Sequence, residues 1–374
     1  MIALGQPTVG QEELAAIAEV FASGWLAGNG PSSRRFEQAF AVRSATAHAL
    51  AVSNCTAALH LAFMALGLGP GDEVVVADYT FPATGHAVMH TGARPVFADV
   101  RADIWTVDPR AVEAAITDRT VGIVGVDVFG QTADYDELKA IAARQGLWVV
   151  EDAAAAAGAT YHGAPAGSLA DAGCFSFHGR KGITSGEGGA LTTDRAEIDA
   201  LARKLHAFGI EGAMSRAESE DLPIPEFDVL GYNYKLSDIA AAMMIVQIER
   251  LSSLIETRRA VAEGYTERLA NVDLATLPVV ADGRGHVWQA YVLTLDSSVS
   301  RGGTARQLRR AGVQCNFGTY ASHRQPLYGM RPPCPVSSEI FDRHLALPMH
   351  ANLTSDDLDI VCAAALDAIK ANAA

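Results

Sequence analysis

The chain has 374 residues, of which 49% are hydrophobic and 19% charged, and its formal net charge is −14 at pH 7. This length and composition predict a globular protein of two domains and exclude a disordered chain. The acidic excess repels phosphate backbones and anionic lipid, so we expect neither a nucleic-acid nor a membrane partner. Five scattered cysteines without a CxxC pair, and an N-terminus unlike a signal peptide, predict a cytoplasmic protein.

Strand and helix signals alternate through the first two-thirds of the chain. Apolar runs typical of buried strands cover residues 73–77, 121–129, 147–150, 173–178 and 189–193. Segments with helical spacing of apolar residues cover 54–66, 135–146 and 198–205. This alternation predicts an α/β fold with a mostly parallel, doubly wound sheet that is covered on both faces.

The pattern changes in the last third of the chain. Residues 212–228 are polar and contain proline, which predicts a mobile loop, and a long helix follows. Residues 286–295 alternate like a half-exposed strand. We therefore place a large α/β domain at residues 1–245 and a smaller α+β domain at residues 246–374.

Two of the four segments that carry candidate chemistry follow predicted strands or begin helices. Residues 53–58 form a small-residue turn at a helix start, where backbone N–H groups suit a phosphate; taken alone, the segment is better explained as a plain helix cap. Asp152 comes just after the apolar run 147–150. A carboxylate at the carboxyl end of a parallel strand can pair with a protonated ring nitrogen; taken alone, Asp152 is better explained as a helix cap.

The other two segments contain lysines. Lys181 lies in a glycine-rich turn after a strand, where a partly desolvated amine can form a Schiff base; the alternative is a surface lysine in a loop. Asn233 and Lys235 stand in a turn before the long helix and offer donors to an anion. His86 and His90 are four residues apart without further ligands, so we expect no metal site.

Taken in order, these segments resemble the nucleotide-sugar aminotransferases of the DegT/DnrJ/StrS type, which are fold-type I enzymes dependent on pyridoxal 5'-phosphate (PLP). The resemblance runs from GWLAGNGPSSRRFE at 24–37 to LPMHANLT at 347–354, and FSFHGRKGITSGEGG at 175–189 is its most specific part. It implies a homodimer whose active sites lie at the subunit interface.

The resemblance implies a role for each matching residue. Lys181 holds the cofactor as a Schiff base and moves protons, Asp152 pairs with the pyridine nitrogen, and Phe81 stacks on the ring. The cofactor phosphate is bound by Thr56, Ala57, Ser176 and, from the neighbouring subunit, Asn233. Many relatives have glutamine or histidine three residues after the aspartate. This chain has Ala155 there, which puts in question the cofactor affinity or the group that supports this side of the ring.

The implied reaction moves an amino group from an amino acid, which we expect to be glutamate, to a keto-sugar nucleotide. The GEGG turn with Glu187 favours C4 of a 4-keto-6-deoxy sugar; the alternatives are C3 of the sugar or a keto-cyclitol. The substrate-binding candidates are His323, Lys235, Glu187 and Arg180, with Arg34 and Arg35 as further partners for a diphosphate.

Two other functions occur on the same scaffold. In the related PLP-dependent sugar dehydratases a histidine replaces the lysine, so Lys181 argues against that activity. A non-catalytic PLP- or sugar-binding regulator is the remaining alternative, and the intact lysine and aspartate argue against it.

Overall fold

The computed structural model describes residues 1–210, 226–329 and 331–374. Most of the loop predicted at 212–228 lies outside these residues. The helices are α1 (Gln11–Ser23), α2 (Pro31–Ser44), α3 (Cys55–Ala65), α4 (Ala83–His90), α5 (Pro109–Ala115), α6 (Tyr135–Gln145), α7 (Ala196–His206), α8 (Asp238–Arg268), α9 (Arg301–Arg310), α10 (Pro335–Arg343) and α11 (Ser355–Ala371). Short 3-10 turns cover Val128–Gly130, Ser322–Arg324 and Pro326–Tyr328.

The strands belong to one large sheet and several small ones. They are β1 (His48–Val52), β2 (Glu73–Ala77), β3 (Tyr79–Thr80), β4 (Arg94–Ala98), β5 (Thr120–Val126), β6 (Trp148–Asp152), β7 (Thr160–Tyr161), β8 (Ala164–Pro165), β9 (Ala172–Ser176), β10 (Gly189–Thr193), β11 (Ala275–Thr276), β12 (Arg284–Gly285), β13 (Tyr291–Leu295), β14 (Tyr320–Ala321) and β15 (His344–Leu347).

The large sheet has the order β1-β10-β9-β6-β5-β2-β4. Its pairs from β9 to β4 are parallel, whereas β10 is antiparallel to both of its neighbours. Strand β2, with the sequence EVVVA, is buried at every position, as a strand covered on both faces must be. The predicted mostly parallel α/β sheet is therefore confirmed, with one antiparallel strand added.

Two predicted strands differ from the structure. The run 121–129 leaves the sheet at Val126, because the Asp127 carboxylate accepts hydrogen bonds from the Ala133 amide and the Tyr135 hydroxyl and closes a turn. The run 286–295 forms a strand only at Tyr291–Leu295. That strand is mostly buried, since it lies between β11 and β15 in the C-terminal sheet, so the predicted half-exposure is wrong.

The long helix α8 joins two hydrophobic cores. Its first half packs with α2, where Phe40 meets Phe175 and Phe177 edge-on, and its second half joins the C-terminal core around Tyr265 and Tyr291. The domain boundary at 245/246 stays a prediction. Within the described residues, no helix is both long enough and apolar enough to cross a membrane.

Candidate active site

A cavity of about 400 Å³ opens where β5, β6 and β9 end. The carboxyl ends of these neighbouring parallel strands form one edge of the sheet, which is where open α/β sheets bind ligands. Residues 316–320 and 346–349 supply wall from the C-terminal part of the chain. The predicted site residues at the wall are Thr56, Phe81, Asp152, Ser176, Arg180, Lys181 and Glu187.

Asp152 ends β6 and is only 5% exposed. Its Oδ2 accepts a hydrogen bond from Thr84 Oγ1 at 2.7 Å, and its Oδ1 accepts one from the Ala154 amide at 3.2 Å. Burial raises the pKa of this carboxyl, while the two hydrogen bonds favour its charged form. The result is a buried carboxylate held in one orientation at the cavity wall.

Lys181 lies in the connection between β9 and β10, which hydrogen bonds keep compact. Its amide donates to the His178 carbonyl at 2.8 Å, and Thr184 Oγ1 donates to the Phe177 carbonyl at 2.7 Å. Gly186 has φ +86°, a left-handed conformation that suits glycine and closes the turn. Burial lowers the pKa of the Lys181 amine, and the charge of Asp152 opposes this shift. A lowered pKa favours the neutral, nucleophilic amine.

At the start of α3, two neighbouring residues that were predicted to bind phosphate differ in their position relative to the cavity. Thr56 lies at the cavity wall, as does Ser176 at the end of β9. Ala57 is buried away from the wall, and its amide already donates to the Asn54 side chain at 2.8 Å as a helix cap. The backbone of Ala57 is therefore paired within its own helix.

Asn233 and Lys235 lie outside the cavity wall of their own chain. Lys235 Nζ donates to Asn233 Oδ1 at 2.5 Å, and Asn233 is exposed. The segment is held beside the α3 turn, because the Ser53 amide donates to the Tyr234 carbonyl at 2.7 Å. Arg34 is also away from the cavity and donates to the Asn29 carbonyl.

His323 is likewise absent from the cavity wall. Its Nδ1 lies 2.7 Å from Asp78 Oδ2 and its Nε2 lies 3.1 Å from Ser338 Oγ. Asp78, His323 and Cys334 place possible metal-ligating atoms within 4.8 Å of one another. Hydrogen bonds already use the imidazole and the carboxylate, so this cluster needs no metal to explain it.

Glu187 and Arg180 reach the cavity from the turn that carries Lys181. Glu187 is 70% exposed, and its carboxylate lies 3.7 Å from His178 Nε2. Arg180 is exposed, and its carbonyl accepts a hydrogen bond from Gln289 Nε2 at 3.1 Å. Ala155 also lies at the wall, where its methyl group offers no hydrogen bond.

Several residues of the wall were missed by sequence reasoning. Asp127 directly follows an apolar strand, which is the signal that identified Asp152, and it was available in the sequence. Thr84, the partner of Asp152, and the aromatic residues Phe317 and Tyr320 carried no such signal. Phe81, which is 60% exposed, faces Tyr320 edge-on with ring centroids 6.1 Å apart.

Comparison with known proteins defines the class of this protein. The solved structure of the aminotransferase TlmJ from Streptoalloteichus hindustanus superposes with a TM-score of 0.93 at 33% identity, over 99% of each chain. The PLP form of a putative sugar aminotransferase, Spr1654 from Streptococcus pneumoniae, superposes with a TM-score of 0.93 at 25% identity over 100% of each chain. The predicted fold-type I architecture is confirmed, and the class is that of the aminotransferases.

The family follows from sequence similarity over nearly the whole chain. The model of the DegT/DnrJ/EryC1/StrS aminotransferase family matches residues 7–366. The spore coat polysaccharide biosynthesis protein SpsC of Bacillus subtilis (strain 168) is 36% identical, over 97% of this chain and 96% of its own length. The chain belongs to the DegT/DnrJ/EryC1/StrS aminotransferase family, which confirms both the predicted family and the predicted kind of enzyme.

Proposed function

We propose that this protein is a PLP-dependent aminotransferase that moves an amino group from an amino acid to a keto-sugar carried on a nucleoside diphosphate. The observation that carries this proposal is that Lys181 and Asp152 share one cavity at the carboxyl ends of parallel strands. The relatives support it, since Spr1654 has a PLP form and SpsC is named for polysaccharide biosynthesis.

The residues of the cavity wall fit PLP. The wall combines a lysine, a buried carboxylate, one hydroxyl group at a helix start, one at a strand end and an exposed aromatic ring. When bound, PLP supplies an electron sink for the carbon that carries the amine. Asp152, which Thr84 holds in place, would keep a proton on the ring nitrogen. Thr56 and Ser176 would bind the phosphate, and Phe81 would cover the ring.

Lys181 does the remaining proton chemistry. Its free amine would take a proton from one carbon and return it to another. The lowered pKa suits this role, because a general base works best when it is neutral near the operating pH. The amino donor we propose is glutamate.

For the acceptor we propose C4 of a 4-keto-6-deoxy sugar. Glu187 of the GEGG turn lies at the wall with His178, where it can hydrogen-bond sugar hydroxyls, and Arg180 beside it can meet a phosphate. The alternatives are amination at C3 and amination of a keto-cyclitol, which would carry no diphosphate for Arg180 to meet. His323 lies off this wall, held by Asp78 and Ser338, so its role toward the sugar stays a prediction.

We also propose a homodimer with shared active sites. Asn233 and Lys235 are donors that lie outside their own cavity, and Asn233 is exposed, so a second subunit can receive them. Two exposed apolar side chains favour a covered surface there: Leu230, three residues before Asn233, and Phe208, whose ring centroid lies 4.1 Å from Lys235 Nζ.

The experiment incubates the protein with PLP, glutamate and a panel of keto-sugar nucleotides and keto-cyclitols, and reads the position of the new amine by NMR. Lys181→Ala should abolish turnover, whereas the exposed Lys139→Ala on α6 should retain it. Turnover by Lys181→Ala would refute the role of this lysine. An amine at C3, or on a cyclitol alone, would refute the acceptor.

A further inference from the structure

Helix α8 carries an arginine in an environment that usually excludes one. Arg258 is only 5% exposed, and within the described residues no carboxylate pairs with its guanidinium. Its Nε has no hydrogen-bond partner there, and burial lowers its pKa to about 10. A buried cation without a partner charge opposes folding, so the presence of Arg258 must be explained by its hydrogen bonds and not by charge pairing.

Those hydrogen bonds join three segments that meet at the cavity. Nη1 donates to the carbonyls of Trp288 at 3.1 Å and Met349 at 3.4 Å, and Nη2 donates to the carbonyl of Lys181 at 3.4 Å. Met349 and Lys181 both line the cavity wall. One planar guanidinium thus ties the lysine turn to two segments of the C-terminal part, which a single ammonium could not do in the same geometry.

A second residue on the same face of α8 contacts the same turn. Gln247 is eleven residues, or about three helical turns, before Arg258, so both side chains project from one face. Its Oε1 accepts a hydrogen bond from the Thr184 amide at 3.1 Å. The neighbour of Trp288, Gln289, donates to the Arg180 carbonyl. The turn is therefore held from α8 and from the C-terminal part.

We propose that Arg258 is a positioning residue, which fixes the backbone of Lys181 against the C-terminal wall so that its amine keeps one orientation in the cavity. The importance of this orientation for catalysis rests on the function proposed above. The anchoring itself does not, because it concerns backbone contacts present without cofactor or substrate.

Hydrogen–deuterium exchange on the protein without cofactor tests the anchoring. Arg258→Met should speed exchange in residues 178–186 about tenfold, which corresponds to a loss of about 1.4 kcal/mol in local stability. Strand β2 should not change. The matched control is Arg259→Met, since Arg259 is the next residue and pairs only with Glu256 at the surface among the described residues. Equal exchange in the two variants would overturn the proposal.

Arg258→Lys decides the matter if Arg258→Met does not fold. This variant keeps the charge and loses the fork of donors, so faster exchange confined to 178–186 supports the proposal, and a uniform or absent change refutes it.

In the PLP-loaded Arg258 variants, kcat should fall about tenfold or more with little change in KM for the donor, because a misoriented Lys181 amine slows proton transfer. A change in KM alone contradicts a positioning role. If wild-type protein aminates no sugar while exchange responds as expected, only the proposed function fails.

Discussion

Two buried aspartates lie at the carboxyl ends of strands of the same sheet, and their surroundings differ. Asp152, at the end of β6, accepts bonds from one hydroxyl and one amide and lines the cavity with Lys181. Asp78, just after β2, accepts bonds from His323, from the Ser337 hydroxyl and from a backbone amide, and it does not line the cavity. The two strand-end aspartates thus differ in their surroundings: three donors already bind the Asp78 carboxylate away from the cavity, whereas Asp152 faces the cavity.

The largest expected effect is on catalysis at Asp152. Asp152→Asn keeps the shape and the partner Thr84 but cannot hold a proton on the PLP ring nitrogen, so we expect kcat to fall about a thousandfold, roughly 4 kcal/mol. The midpoint of urea unfolding should move little. Steady-state kinetics on PLP-loaded enzyme measure the first quantity. Activity within tenfold of wild type would show that Asp152 has no such role, and the functional contrast between Asp152 and Asp78 would no longer hold.

The next effect is on stability at Asp78. Asp78→Ala leaves His323 and Ser337 without their acceptor in a buried region, and we expect the free energy of unfolding to fall by about 3 kcal/mol. Urea denaturation measures it, with exposed Asp342→Ala as the control. A change below about 0.5 kcal/mol would show that this network is not structural.

A second pair of acids near these strand ends predicts a pH effect. Asp127 and Glu151 are both buried. Burial and the charge of Glu151 raise the pKa of Asp127 well above its usual value, and burial raises that of Glu151 to about 7. Because both folded-state pKa values are raised, the native state keeps protons that the unfolded chain releases above pH 4 to 5. The free energy of unfolding should therefore fall between pH 5 and 7, by up to about 1.4 kcal/mol per pH unit and proton.

Asp127→Asn should flatten this slope, because the amide neither takes up a proton nor carries a charge that acts on Glu151. Urea titrations at several pH values compare the variant with wild type. An unchanged slope would mean that the pair is not the source of the dependence.

The smallest expected effect is that of His323→Gln on catalysis, which tests whether the Asp78 cluster takes part in the reaction as Asp152 is proposed to do. His323→Gln keeps a donor for Asp78 but removes the imidazole, and since His323 is not at the cavity wall, kcat/KM for the sugar should change by less than about tenfold. A hundredfold rise in KM for the acceptor alone would place His323 in the substrate site and make the Asp78 cluster functional.

The sequence was informative where one residue and its neighbours along the chain define the geometry. Asp152 follows an apolar strand and Lys181 lies in a glycine turn, so both could be placed at the sheet edge. Thr84 and Arg258 were not predictable, because their partners lie 68 and 77 residues away and no local pattern marks them. Ala57 shows the reverse: its place in the motif was readable, but the Asn54 cap that occupies its amide was not singled out.

The short pairing of β14 with β3 ties the C-terminal wall of the cavity to the strand end beside Phe81. Tyr320 pairs with Thr80 and Ala321 with Tyr79, and the Ser322 amide donates to the Asp78 carbonyl at 2.9 Å. A hinge opening of this wall would have to break these backbone bonds next to Phe81. The Phe81 and Tyr320 rings, which lie edge-on with centroids 6.1 Å apart, can change rotamer without breaking these backbone bonds.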